Sequence, residues 1–171
     1  MSDFKAPDRP WRADVIQDFA RSELFDRTFQ EGMSLVEETA GYLDGSGRQE
    51  SKLLSRNAAL AYAAESMRLT TRLMQVASWL LVQRAVREGD MAPEAACDDR
   101  YRLAAEDVCR PQSPEALDGL PGNLLALLDR SERLYERVRH LDKRMYAEEA
   151  ETEVPNAVLT QFDRLRTAFG G

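Results

Sequence analysis

The stretch that decides the fold is ESMRLTTRLMQVASWLLVQRAV, residues 65–86. Between Arg72 and Arg84, the eleven residues LMQVASWLLVQ carry no charge and include Trp79. Crossing a bilayer takes about 20 apolar residues, so this run is too short, and arginines bracket it. It reads instead as the middle of a long helix. Leu53, Leu60, Met67, Met74 and Leu81 repeat every seven residues, and Asn57, Ala64, Thr71, Ser78 and Ala85 form a second seven-residue series of small side chains. Large residues alternating with small ones let another helix approach closely and interdigitate. Tyr62, Leu69, Leu73, Val76 and Leu80 make a further apolar stripe, displaced around the same helix. Glu65, Arg68, Arg72, Gln75 and Gln83 are left as a narrow polar sector, expected to face water. One helix with two apolar stripes needs cover on two sides. A core or dimer seam is therefore expected at Leu60, Met67, Thr71, Met74, Ser78 and Leu81.

Working outward, the helix is expected to start at a Ser51 cap and run unbroken to Glu88, with Gly89 as its stop. Before it, Ser22 is placed to cap a helix whose apolar face is Phe25, Phe29, Met33, Val36, Ala40 and Leu43. Glu23 and Asp26 suit the positive end of its dipole, and Asp44-Gly45-Ser46-Gly47 breaks it. Pro93 suits the first turn of a short helix reaching about residue 105. The proline- and glycine-rich segment 111–122 then reads as a loop. A third long helix is expected from about Pro121 to Glu149, burying Leu124, Leu127, Leu128, Leu134, Tyr135, Val138, Leu141 and Met145.

The ends read differently. Residues 1–21, with Pro7 and Pro10, are expected to be a flexible arm with a turn of helix over 14–20. Residues 22–149 form the bundle, and 150–171 a flexible or weakly helical tail striped by Val158, Leu159, Phe162, Leu165 and Phe169. So short an amphipathic segment docks on the bundle or orders when a partner binds. No strand-like alternation occurs. The predicted fold is all-α: a three-helix bundle with a long central helix, dimeric, with short extra helices and flexible termini.

Composition narrows the function. Lys and Arg total 23 against 30 Asp and Glu, a formal charge of −7 that repels phosphate backbones. Nonspecific nucleic-acid binding is not expected. The first eleven residues, MSDFKAPDRPW, do not resemble a secretory signal, so a soluble cytoplasmic chain without membrane attachment is expected. Cys97, Cys109 and the single histidine, His140, cannot complete a zinc site. The Glu37-Glu38 pair lacks the two Glu-x-x-His helices of a di-iron bundle. With no phosphate loop, no nucleophile elbow and no acid paired with His140, no cofactor, metal or catalytic residue is expected. Arg68 and Arg72, one turn apart, with Trp79 two turns on, instead form a candidate patch for an acidic partner, since Trp and Arg are enriched at interface hot spots. The tail residues Phe162, Leu165 and Phe169 are further candidate partner contacts. The plainer reading of Arg68 is an intrahelical pair with Glu65.

Two strings carry a family resemblance: LFDRTFQEGMSLVEETAGYLDGSGR, residues 24–48, and LSRNAALAYAAESMRLTTRLMQVASWLLVQRAV, residues 54–86. They resemble the RcdA family of alphaproteobacteria, regulators of degradation of the cell-cycle regulator CtrA. The likeness is good over about residues 22–110, looser over the third helix and slight in the tail. It implies a non-enzymatic adaptor, a dimeric three-helix bundle that delivers substrates to the ClpXP protease. It further implies a CpdR-like primer, a PopA-like cyclic-di-GMP effector and a functional C-terminal segment. The other class left open is a transcriptional or signalling regulator acting by direct protein or DNA binding. A small-molecule-binding bundle enzyme would need an inward polar cluster, and none is visible.

Overall fold

Helices account for most of the described residues. The computed structural model describes residues 10–104, 114–146 and positions 164, 166 and 168, and its described residues contain no strand. In chain order the helices are α1 (Pro10–Ala20), α2 (Glu23–Asp44), α3 (Ser46–Ser51), α4 (Arg56–Arg87), α5 (Pro93–Ala96) and α6 (Gly122–Tyr146). Short 3-10 turns lie at Asp99–Tyr101 and Pro114–Leu117.

Local chemistry sets these boundaries. Ser22 is extended, and its Oγ accepts from the Phe25 amide at 3.1 Å, capping α2 as expected. The cap of α4 is Ser55 rather than Ser51: Ser55 Oγ accepts from the Ala58 amide at 3.2 Å. The helix expected from residue 51 therefore begins only at Arg56, after the separate α3, in which Glu50 bonds to two other helices. Its carboxylate takes the Tyr42 hydroxyl at 2.7 Å and the Asn123 amide at 3.0 Å, tying the end of α2 to the start of α6. At the far end Gly89 has φ +79°, the left-handed stop expected there. The helix expected over 93–105 ends at Ala96, because Asp98 accepts from the Arg100 amide at 3.0 Å and starts a separate turn.

α4 is the hub, packed against α1, α2, α5 and α6. Contacts run in opposite order along α2 and α4, as in Asp26 to Arg87 at one end and the Tyr42 and Tyr62 neighbourhood at the other. α4 and α6 run the same way: Arg72 meets Ser131, and Trp79 meets Asp142. The three long helices meet at Gly32, where a β-carbon would lie 2.7 Å from Leu80 Cδ1 and 3.8 Å from Leu134 Cδ2.

The flexible arm expected over residues 1–21 instead contributes α1, which is packed into the core. Ala13, Ile16 and Ala20 are buried, and Phe19 meets Trp79 with ring centroids 5.6 Å apart. Arg12, also buried, donates to the Tyr146 carbonyl at 2.6 Å and joins the two ends of the bundle's sequence. The tail stripe Phe162, Leu165 and Phe169 lies outside the described residues.

A close contact at Gly47 gives a stability test. A β-carbon there would sit 2.7 Å from both Tyr42 Cε1 and Tyr62 Oη, whereas one at Gly41 would meet nothing within 4 Å. Gly47→Ala is expected to cost about 1–3 kcal/mol by overpacking and lower the thermal midpoint by roughly 5 °C. Gly41→Ala, on the exposed helix surface, should raise stability by about 0.5–1 kcal/mol. Circular-dichroism melts of the two variants check both signs.

Candidate interaction surface

A helix of 32 residues, α4, has more circumference than its neighbours cover. Tyr62, Leu69, Leu73, Val76 and Leu80 are all buried, so that stripe belongs to the bundle's own core, as expected. The seven-residue series faces the opposite way. Leu60, Met67, Met74 and Leu81 are 65%, 72%, 65% and 50% exposed. Ser78 beside them is exposed and Thr71 is half-buried. Of the two roles expected for this seam, core is excluded; it is an outward surface.

This surface is free of charge over most of its length. Between Asn57 and Gln83 no exposed residue of α4 is charged. From Leu60 to Leu81 the ridge runs about 32 Å at 1.5 Å per residue. Soluble monomers rarely leave so long an apolar band uncovered, and such bands mark contact surfaces. Met74 stands between two depressions. One of about 540 Å³ is bordered by Thr71, Ser78, Val82, Arg100 and Tyr101. The other, about 300 Å³, lies against α2.

The residues expected in a wet polar sector are placed differently. Arg72 is 1% exposed and Gln83 0%, and Glu65 is buried too. Arg72 Nη1 donates to Ser131 Oγ at 2.7 Å, and its Nη2 lies 3.6 Å from Glu132 Oε1. The Ser131 hydroxyl in turn donates to the Leu128 carbonyl at 2.8 Å. Burial pushes the Glu132 carboxyl up, with Arg72 opposing that shift. Arg68 is half-buried at the edge of this seam and pairs with Glu65, the plainer of the two roles expected for it. Trp79 is 2% exposed, and its indole Nε1–H donates to Asp142 Oδ1 at 3.1 Å. Arg72 and Trp79 are thus interior residues rather than a partner-facing patch. Arg72 and Trp79 face α6 because α6 supplies Ser131, Glu132 and Asp142 as partners, which a buried charge or donor requires.

Asp142 is the residue the sequence did not single out. Buried on α6, it accepts from Trp79, from the Leu103 amide at 3.0 Å and from Arg102 Nη2 at 3.2 Å. It thereby holds the segment after α5 against the bundle. Next to it the Tyr146 phenol donates to the Ala96 carbonyl at 2.7 Å, and burial, reinforced by the Asp142 charge, pushes its pKa up to about 12. The only sequence signal for Asp142 was an acid on the apolar face of α6, which by itself does not name a partner 63 residues away.

Among the described residues, no cluster of three or more His, Cys, Asp or Glu could hold a metal, and no helix is long and apolar enough to cross a membrane. His140 is exposed on α6.

Removing the Asp142 carboxylate leaves the Trp79 indole and the Leu103 amide without an acceptor, at about 1–3 kcal/mol for each buried donor. Asp142→Ala is expected to lose about 3 kcal/mol in urea unfolding. Asp129→Ala, which breaks only the exposed Arg133–Asp129 pair, should lose less than about 0.5 kcal/mol.

Comparison with known proteins places this architecture. The family described as "Protein of unknown function (DUF1465)" matches residues 16–169. Among solved structures, the crystal structure of RcdA from Caulobacter crescentus CB15 is 71% identical, with a TM-score of 0.63, covering 77% of this chain and 98% of that one. No curated protein matches. By the family match over most of its length and its identity to RcdA, the chain belongs to the RcdA family.

Proposed function

We propose that the chain is a non-enzymatic adaptor that delivers protein substrates, such as a cell-cycle response regulator, to the ClpXP protease for regulated degradation. The observation that carries this reading is the outward ridge of α4, a long charge-free surface on a protein 71% identical to RcdA. Tethering raises the local concentration of a substrate without chemistry, so modest affinities at several surfaces suffice. A CpdR-like primer of the protease and a PopA-like cyclic-di-GMP effector are the proposed partners, in the cytoplasm and open to recruitment to a cell pole. Phe162, Leu165 and Phe169 of the tail are proposed as a further contact for them.

The ridge also supports a homodimer. Leu60, Met67, Met74 and Leu81 recur at the coiled-coil interval, and the intervening Thr71 and Ser78 leave room for knobs from a second copy. A two-fold axis would place the same ridge on both subunits, and a stable interface needs about 800 Å² from each.

Two measurements test these readings. In a reconstitution with ClpXP and its primer, the chain is expected to speed degradation of a CtrA-like substrate, and a chain lacking residues 150–171 to do so less. No effect on any substrate would sink the adaptor reading. Met74→Asp, at a mostly exposed position, is expected to turn a dimer into a folded monomer in light scattering with an unchanged melt. A variant that stays dimeric would show that another face mediates assembly.

A further inference from the structure

We propose that the cavity between α2 and α4 is a docking site for a short peptide carrying an aliphatic side chain beside a basic residue. The cavity, about 300 Å³, is walled by Val36, Ala40 and Leu43 from α2 and by Leu73, Met74 and Ala77 from α4. Two of the wall residues, Ala40 and Ala77, are alanines, whose short side chains leave space between the helices. At the small end of ligand-binding sizes, it suits one or two aliphatic side chains.

The rim gives the charge of the occupant. Asp44 borders the cavity, and Glu37 precedes it by seven residues, two turns along the same side of α2. Both carboxylates are exposed, and neither has an ion pair among the described residues. The neighbouring acids of α2 are occupied, Glu31 by Arg137 and Glu38 by Arg130. Glu37 and Asp44 are therefore an unspent acidic rail beside an apolar pocket, complementary to a cation next to an apolar anchor.

The floor supplies a hydrogen-bonding group. Thr28 and Thr70 each donate their hydroxyl to the carbonyl four residues back, at 2.8 and 2.9 Å. Thr39, 4% exposed, makes no such bond, and its Oγ1 is buried without a partner. Thr39 is itself part of the cavity lining. A helical threonine has two accessible χ1 rotamers, and one that presents the hydroxyl to the cavity would let a peptide carbonyl accept from it. An aliphatic anchor, a backbone carbonyl and a flanking base are the three features of one short peptide. Capture at this pocket does not depend on delivery to a protease.

The test uses the full chain and two fluorescein-labelled peptides, Ala-Lys-Leu-Leu-Lys-Ala and its counterpart with glutamate in place of lysine, both blocked at their ends. Fluorescence anisotropy at low salt is expected to show saturable binding of the lysine peptide, with the glutamate peptide at least tenfold weaker. Ala40→Phe, at an exposed position, should fill the cavity and abolish binding with an unchanged melt. Glu37→Lys with Asp44→Lys should reverse the preference between the peptides. Thr39→Val should weaken binding several-fold. Equal binding of both peptides, binding that survives Ala40→Phe, or no saturation by about 1 mM overturns the proposal. The titration is repeated on Leu60→Asp, which opens the ridge far from the cavity. Binding only in that variant also counts against it, because a second copy would then be the occupant.

Discussion

A guanidinium in the interior decides how the two longest-paired helices of the bundle meet. Arg72 has no solvent to satisfy it, so Ser131 and Glu132 must arrive beside it when α6 packs on α4. Sliding α6 by one residue would rotate both groups about 100° away and leave a bare charge inside, which a folded protein does not tolerate. Trp79 and Asp142 repeat the constraint farther along the same two helices. Apolar contacts alone would allow several registers. Two polar latches leave one, and because α4 and α6 run in the same direction, the chain between them has to return along the bundle. Asp142 uses that return segment, holding Leu103 and Arg102 as it passes.

With register settled on the inner side of α4, the outer side is free of structural duty. Gly32 lets α2 come close to Leu80 of the buried inner stripe. The seven-residue series then points outward with nothing of its own bundle to cover it. The ridge and the cavity beside it share Met74, so one side chain forms the crest of the first and a wall of the second.

Much of the fold was legible in the sequence, and the divisions between right and wrong expectations have physical causes. The Ser22 cap, the Gly89 stop and the apolar face of α6 follow from local chemistry, and the structure has them. Periodicity showed correctly which residues of α4 share a side, since Leu60, Met67, Met74 and Leu81 do lie together. What periodicity does not contain is which side has a neighbour. Glu65, Arg72 and Gln83 read as wet because they are polar, and the groups that make the interior hospitable to Arg72 lie 59 residues on. The helix α1 read only as a turn over 14–20 because alanines and an arginine make up much of its buried side, a weak stripe beside Pro7 and Pro10. The late start of α4 at Arg56 follows the separate α3, whose Glu50 reaches Asn123, again a distant contact.

The uncharged face of α4 has a consequence for how this molecule responds to its surroundings. Contacts between exposed charges fade once ions crowd within a Debye length, about 8 Å at physiological ionic strength. A surface without charges from Asn57 to Gln83 has nothing to screen. Association through it would hold at high salt, tighten in sulfate and loosen on cooling, as burial of apolar area does. The acidic rail of α2, one helix away, would behave in the opposite sense toward salt. Ionic strength alone therefore distinguishes what is held by the ridge from what is held at its edge.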